Sequence, residues 1–196
     1  MPTTVVNAYY HPMENNVSIL AAILQPPFFS VLYDDPSVYA GIGMIIGHEI
    51  FHGVDPHGIN FDENGSYNPS WMDPQTLSGY GNMQQCLVNQ YTQRTMYGHQ
   101  HDGYATAAEN IADQLGFQAA FRAANRASPM DEMQKAQFYM AYAQAWCSKT
   151  GAAADLMRTT HGVHSVPEFR INRVLENQDE WLQSHGCPNP PPCDPL

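Results

Sequence analysis

Apolar positions change period along this chain, and the changes mark out its elements. Val5 to Tyr10 is β-branched and aromatic and stops at His11-Pro12, which predicts a strand. Val17 to Leu24 is a second apolar run, closed by Pro26-Pro27. Tyr39 to Val54 is almost wholly apolar as far as His48, and its length suits a buried helix. Asp55 to Pro74 is rich in Gly, Pro, Asn and Asp and reads as a loop with tight turns. Helical patterns return over Pro74–Met96, Thr106–Asn125 and Met130–Cys147, and a short helix is expected over Pro167–Leu175. Thr106 stands at an N-cap position with Glu109 three residues later, the capping-box spacing. The proline-rich tail Cys187–Leu196 is expected to be irregular and to need an anchor. No internal repeat or boundary divides the chain, so residues 1–196 read as one domain, α+β but mainly helical.

Composition narrows the partners. With 43% hydrophobic and 14% charged residues the chain is globular rather than disordered. The formal net charge of −11 rests on 8 Lys+Arg against 19 Asp+Glu, too few cations to neutralise phosphates. Nucleic acid is therefore not an expected partner, nor is an anionic membrane surface. No apolar stretch approaches the roughly 18 residues of a membrane span. Met1 to Tyr10 has neither the basic start nor the apolar core of a signal peptide, which by itself predicts a cytosolic protein. Cys86, Cys147, Cys187 and Cys193 have no metal-type spacing, and their number alone does not separate disulfides from thiols.

The chemistry concentrates in His48-Glu49-Ile50-Phe51-His52. Residues four apart share a helix face, so this H-E-x-x-H motif lets both imidazoles reach one metal ion. Glu49, turned off that axis, would stand beside an open coordination position, where it could deprotonate a water. Burying two histidines and a glutamate in so apolar a helix is costly unless a metal or polar partners compensate. A catalytic zinc needs a third protein ligand. Glu109 and Asp113, also four apart, offer one: Glu109 as ligand, Asp113 as the acid that orients a ligand imidazole. Glu109 could equally serve the capping box. Asp55, three residues past His52, could hold a ligand histidine or only punctuate the turn before Pro56.

Several words of this sequence occur in the same order in one family. Val6-Asn7-Ala8-Tyr9-Tyr10, Ile23-Leu24-Gln25-Pro26-Pro27-Phe28-Phe29, Gly41-Ile42-Gly43-Met44-Ile45-Ile46-Gly47-His48-Glu49, Glu109-Asn110-Ile111-Ala112-Asp113, Ala143-Gln144-Ala145-Trp146-Cys147 and His164-Ser165 with Phe169-Arg170 are such blocks. Through them the chain resembles the neprilysin and endothelin-converting enzymes over essentially its whole length. The resemblance implies a thermolysin-like zinc metallopeptidase catalytic domain with a small edge sheet and one zinc ion per chain. It implies His48, His52 and Glu109 as zinc ligands, Glu49 as catalytic base, and Asp55 and Asp113 as the acids holding the ligand histidines. It implies Asn7 and Ala8 as the edge residues that bind the substrate backbone. Phe28, Met44 and Trp146 match an apolar pocket just after the scissile bond, His164 an oxyanion-stabilising histidine, and Arg170 an arginine gripping the substrate carbonyl. The partner would be a peptide, cut on the amino side of apolar residues. The resemblance also pairs Cys86 with Cys193, and matches Cys147 and Cys187 to cysteines whose family partners lie outside this sequence.

Departures accompany the resemblance. Gly162 stands where the family usually has an Asp two residues before the oxyanion histidine, with His161 as a poor substitute, and Ala108 and Ala22 replace family glycines. The chain ends Cys193-Asp194-Pro195-Leu196 where members often end Cys-x-x-Trp. Family members are much longer, with a membrane anchor and an N-terminal helical region that caps the active site. The expectation is the C-terminal part of such an architecture, with that region as intramolecular partner and an extracellular or membrane-anchored location. The competing expectation is a catalytically impaired zinc-binding fragment or interaction module.

Overall fold

A computed structural model describes residues 1–187 and 190–193. Its elements are two antiparallel strands, β1 (Ala8–His11) and β2 (Asn16–Ile19), followed by eight helices: α1 (Asp35–Val38), α2 (Met44–Phe51), α3 (Pro74–Thr92), α4 (Ala107–Ala127), α5 (Glu132–Ala145), α6 (Ala152–His161), α7 (Pro167–Glu176) and α8 (Asp179–Ser184). A hairpin of β3 (Thr95–Met96) and β4 (His99–Gln100) joins α3 to α4.

The strand expected over Val5–Tyr10 forms three residues later, over Ala8–His11, paired in the register Ala8↔Ile19 to His11↔Asn16. The helix expected over Tyr39–Val54 forms without a break but changes pitch. Tyr39–Gly43 is π-helical, Met44–Phe51 α-helical and His52–Val54 3₁₀, with α1 leading into it from Asp34, whose carboxylate caps the Ser37 N–H. The helix expected to run to Met96 stops at Thr92. Tyr97 and Gly98 both have positive φ, the two-residue turn that closes a hairpin, and this converts Thr95–Met96 into a strand. Helices α6 and α8 were not among the expected elements. The capping box expected at Thr106 does not form: its side chain makes no cap bond, and Asp102 instead holds the Tyr104 and Ala105 N–H groups. A capping box forms at Asp131 and Gln134 of α5.

Helix α4 is the centre of the fold and is buried on nearly every side. One face packs on α5 and α2 through Phe117, Phe121, Phe138, Tyr139 and Tyr142, with Ala40, Ile42, Met44 and Ile45 alongside. Leu87 of α3 packs on its Ile111 and Leu115, and Tyr91 packs with Val166 and Phe169 near the hairpin. Helices α2 and α4 meet backbone to backbone. A Cβ on Gly116 would stand 2.5 Å from the His48 nitrogen, and one on Gly47 would stand 2.9 Å from the Gly116 carbonyl oxygen. Glycine at both positions lets the metal-motif helix lie against α4, two turns from Glu109.

The tail is anchored as the resemblance implied. Cys86 and Cys193 form a disulfide, the Cys193 N–H donates to Asn177 Oδ1, and Asn177 exchanges two hydrogen bonds with buried Gln90. Cys147 and Cys187 are free and exposed. Residues 188–189 and 194–196 of the expected irregular tail lie outside the described residues. Among the described residues no helix is long and apolar enough to cross a membrane.

Candidate active site

The two histidines of α2 and the glutamate of α4 converge. His48 Nε2 lies 3.1 Å from His52 Nε2 and 3.3 Å from Glu109 Oε2, and His52 Nε2 lies 3.7 Å from Glu109 Oε1. Ligand atoms around a tetrahedral zinc at about 2.0–2.1 Å stand about 3.4 Å apart, so this triangle has the size of one ion. The donors also fit chemically, two imidazoles and one carboxylate. Glu109 Oε2 is sealed from solvent yet makes no aligned hydrogen bond, a cost that a cation would remove.

A carboxylate stands behind each ring. Asp55 Oδ2 lies 2.7 Å from His52 Nδ1, while its Oδ1 accepts the His57 and Gly58 N–H groups at 2.7 Å each. Asp55 therefore fixes the ring and the turn together, which the sequence offered as alternatives. Asp113 Oδ1 lies 2.8 Å from His48 Nδ1. Its carboxylate also accepts Arg170 Nε and Nη2 at 2.6 Å each, in a pair that is buried on both sides. The Arg170 guanidinium lies 3.7 Å above the Trp146 ring.

Electrostatics follow from this crowding. Burial opposes charge on His48, but the Asp113 and Glu109 carboxylates outweigh it and raise the imidazole to about 9. Burial likewise opposes charge on Glu109, and is outweighed by His164 and His48, which hold the carboxyl well below the usual range. Asp113 is also depressed: burial works against it, and Arg170 and His48 prevail. Glu49 moves the other way. Burial pushes it up, the two histidines pull it down, and burial wins.

A cleft of about 430 Å³ opens over these groups. Val6 to Tyr10 run along one wall, Glu49 and the triangle form the floor, and Phe28, Trp146, His164 and Arg170 lie across it. His164 Nε2 is 3.1 Å from Glu109 Oε2, on a side chain that is 55% exposed. Of the residues matched to an apolar pocket, Phe28 and Trp146 line the cleft, whereas Met44 does not. It is 1% exposed and turned into the core, because a helix step of about 100° aims it away and brings Ile45 to the cleft instead. Asp113 is fully buried and does not line the cleft either; it stands behind His48 and Arg170. Ile23, Ile45, Tyr10 and His57 also line the cleft; the first three lie within the family blocks, but the resemblance matched none of the four to a role. At Gly162, where the family usually has Asp, a Cβ would stand 2.6 Å from the Arg158 carbonyl oxygen, so the local backbone would have to shift to carry one.

Known proteins share this arrangement of sequence and fold. Human neprilysin is 37% identical over 196 residues, covering 93% of this chain and 26% of its own. Neprilysin-11 of Caenorhabditis elegans is 34% identical, covering 97% of this chain and 24% of its own. The chain thus spans about a quarter of the length of the curated relatives it matches. Among solved structures, the zinc metalloprotease Zmp1 of Mycobacterium tuberculosis in complex with an inhibitor superimposes with a TM-score of 0.87 at 33% identity, covering 95% of this chain and 30% of its own. PepO from Lactobacillus rhamnosis gives 0.88 at 28% identity, covering 98% and 30%. The sequence profile of peptidase family M13 matches residues 7–195, and the chain belongs to that family.

Proposed function

We propose that this chain is the zinc-bearing catalytic part of a metalloendopeptidase that hydrolyses oligopeptides on the amino side of apolar residues. The observation that carries this reading is the triangle of His48, His52 and Glu109, set in the floor of an open cleft beside Glu49. Those three side chains would hold the ion, and zinc supplies Lewis acidity toward water and the scissile carbonyl. Asp55 and Asp113 hold the two imidazoles in the tautomer that presents Nε2.

The other roles belong to the protein's own groups. A substrate strand lies along Asn7 and Ala8, extending the β1 edge through main-chain hydrogen bonds. The side chain after the scissile bond packs on Ile23, Phe28, Ile45 and Trp146. Glu49 takes the proton of the attacking water and passes it to the leaving amine. Burial raises its pKa, which strengthens it as the base in the first transfer. His164 and Arg170 donate to the developing oxyanion. Arg170 gives its Nε–H and one Nη2–H to Asp113, so the N–H groups left for substrate are those of Nη1 and the second of Nη2. An extracytoplasmic location accords with the Cys86–Cys193 disulfide.

Metal analysis and turnover in two variants test the roles. Glu109→Gln should lose zinc, while Glu49→Gln should keep one zinc per chain and lose turnover on a short apolar peptide. The reverse pattern, zinc lost from Glu49→Gln and kept by Glu109→Gln, would refute the assignment.

A further inference from the structure

His164 stands on the segment between α6 and α7, at the boundary between its exposed and its buried residues. Val163 is 60% exposed and the His164 side chain 55%. The next residue is different. Ser165 is 2% exposed, and its hydroxyl donates to Asn110 Oδ1 at 2.7 Å. Asn110 Nδ2 donates to Thr106 Oγ1 at 2.9 Å, and the Thr106 hydroxyl donates to the Asp102 carbonyl at 3.0 Å. His101 Nε2 lies 3.0 Å from both Thr106 Oγ1 and Ser165 Oγ, closing a ring of four side chains each at most 2% exposed.

Counting protons fixes the directions. Each hydroxyl has one proton, and both are already given, to Asn110 Oδ1 and to the Asp102 carbonyl. His101 Nε2 must therefore carry the proton that both hydroxyl oxygens accept. His101 is held in this orientation by the Phe169 ring, edge-on at 5.3 Å. The ring of hydrogen bonds is complete only when His101 Nε2 carries a proton.

Two residues of the cleft are chain neighbours of this ring. Asn110 follows Glu109, and Ser165 follows His164. The bond between Asn110 and Ser165 thus fixes how far the exposed His164 backbone stands from the helix that carries Glu109. Gly162 supplies no carboxylate to His164, and the polar group beside the histidine in sequence is the Ser165 hydroxyl on its other side.

We propose that Ser165 and His101 are positioning residues for His164, acting through the buried ring on Asn110 and Thr106. The proposal rests on the reading of His164 as an oxyanion donor, and the test separates the two. The zinc-loaded chain and its variants are assayed for kcat and KM on a short apolar peptide. Their affinity for a phosphonamidate peptide, whose tetrahedral phosphoryl group mimics the oxyanion, is read by calorimetry. Ser165→Ala is expected to keep one zinc per chain and its KM, and to lose about 10–100-fold in kcat and in phosphonamidate affinity. Ser165→Thr, which keeps the hydroxyl, should recover most of both. In a His164→Ala background, Ser165→Ala should add nothing, because the group it places is gone. Equal losses in both backgrounds would mean Ser165 acts on the fold at large, and wild-type values in Ser165→Ala would mean it does not act at all. Either result overturns the proposal while leaving His164 in its role. Full activity and affinity in His164→Ala would instead remove the functional reading of that histidine and this proposal with it.

Discussion

Gly116→Ala should damage the metal site from behind, although residue 116 touches no ligand of the cluster through a side chain. The added methyl would stand 2.5 Å from the His48 nitrogen, 2.8 Å from its Cα and 3.1 Å from the Gly47 carbonyl carbon. All three are backbone atoms, so no rotamer change relieves the contact, and the helices must part by about 1 Å to restore van der Waals distance. His48 Nε2 and Glu109 Oε2 are now 3.3 Å apart. Another 1 Å takes them to about 4.3 Å, just past the span of about 4.2 Å that two ligands at 2.1 Å could reach even in a line. Zinc affinity should fall about 100-fold or more, beyond the usual cost of losing an outer-shell partner. Stability carries two opposing terms. Alanine in place of glycine favours the helix by about 1 kcal/mol, and overpacking against rigid backbone costs about 3 kcal/mol. The net loss of about 2 kcal/mol lowers Tm by about 4–8 °C in a chain of this size. Chelator competition for zinc and thermal unfolding of the metal-free protein measure the two effects. Gly79→Ala and Gly81→Ala in α3 are the controls, since a Cβ there meets nothing within 4 Å. They should gain about 0.5–1 kcal/mol and leave zinc affinity unchanged. If Gly116→Ala keeps wild-type zinc affinity and Tm, the close crossing of α2 and α4 does not set the metal site.

Three further outcomes follow from the same geometry. Arg170→Ala leaves the Asp113 carboxylate buried without its partner and should cost about 3–5 kcal/mol in urea unfolding, so lost turnover there is not evidence about the oxyanion alone; a loss under about 1 kcal/mol, as for an exposed pair, would refute this. Asp55→Asn keeps an oxygen for the His57 and Gly58 N–H groups but turns an amide N–H toward His52 Nδ1, so zinc affinity should drop about 10–100-fold with Tm little changed, and an unchanged affinity would count against the outer-shell role. Burial lowers the pKa of His101, partly offset by Asp102, and a lowered folded pKa means stability that is full above the unfolded value of 6.5 and lost as pH falls through the folded one; Tm measured from pH 7.5 to 5 should therefore fall more steeply in the wild type than in His101→Asn, and parallel curves would show that His101 does not titrate on unfolding.

The sequence by itself settled what depends on local spacing. The four-residue interval of His48 and His52 puts both rings on one helix face whatever surrounds them, and Glu109 and Asp113 share a face of α4 for the same reason. The long apolar block ending in those histidines suited a buried helix by its length, and the proline and glycine clusters marked most of its boundaries. Hairpin β3–β4 was missed because two positive φ angles at Tyr97-Gly98 override the helical pattern before them. The tertiary structure alone decided between meanings that spacing leaves equal. Glu109 was one residue with two possible uses, and it joined the histidines because Gly47 and Gly116 let two helices touch. The resemblance matched Met44 to the apolar pocket, and only packing shows that Met44 stays wholly in the core while its neighbour Ile45, also a core residue, lines the cleft. The ring of His101, Thr106, Asn110 and Ser165 joins positions up to 64 residues apart, and no period in the chain connects them. Spacing along a helix is fixed by bond geometry, whereas contacts between distant segments exist only once burial has selected which faces meet.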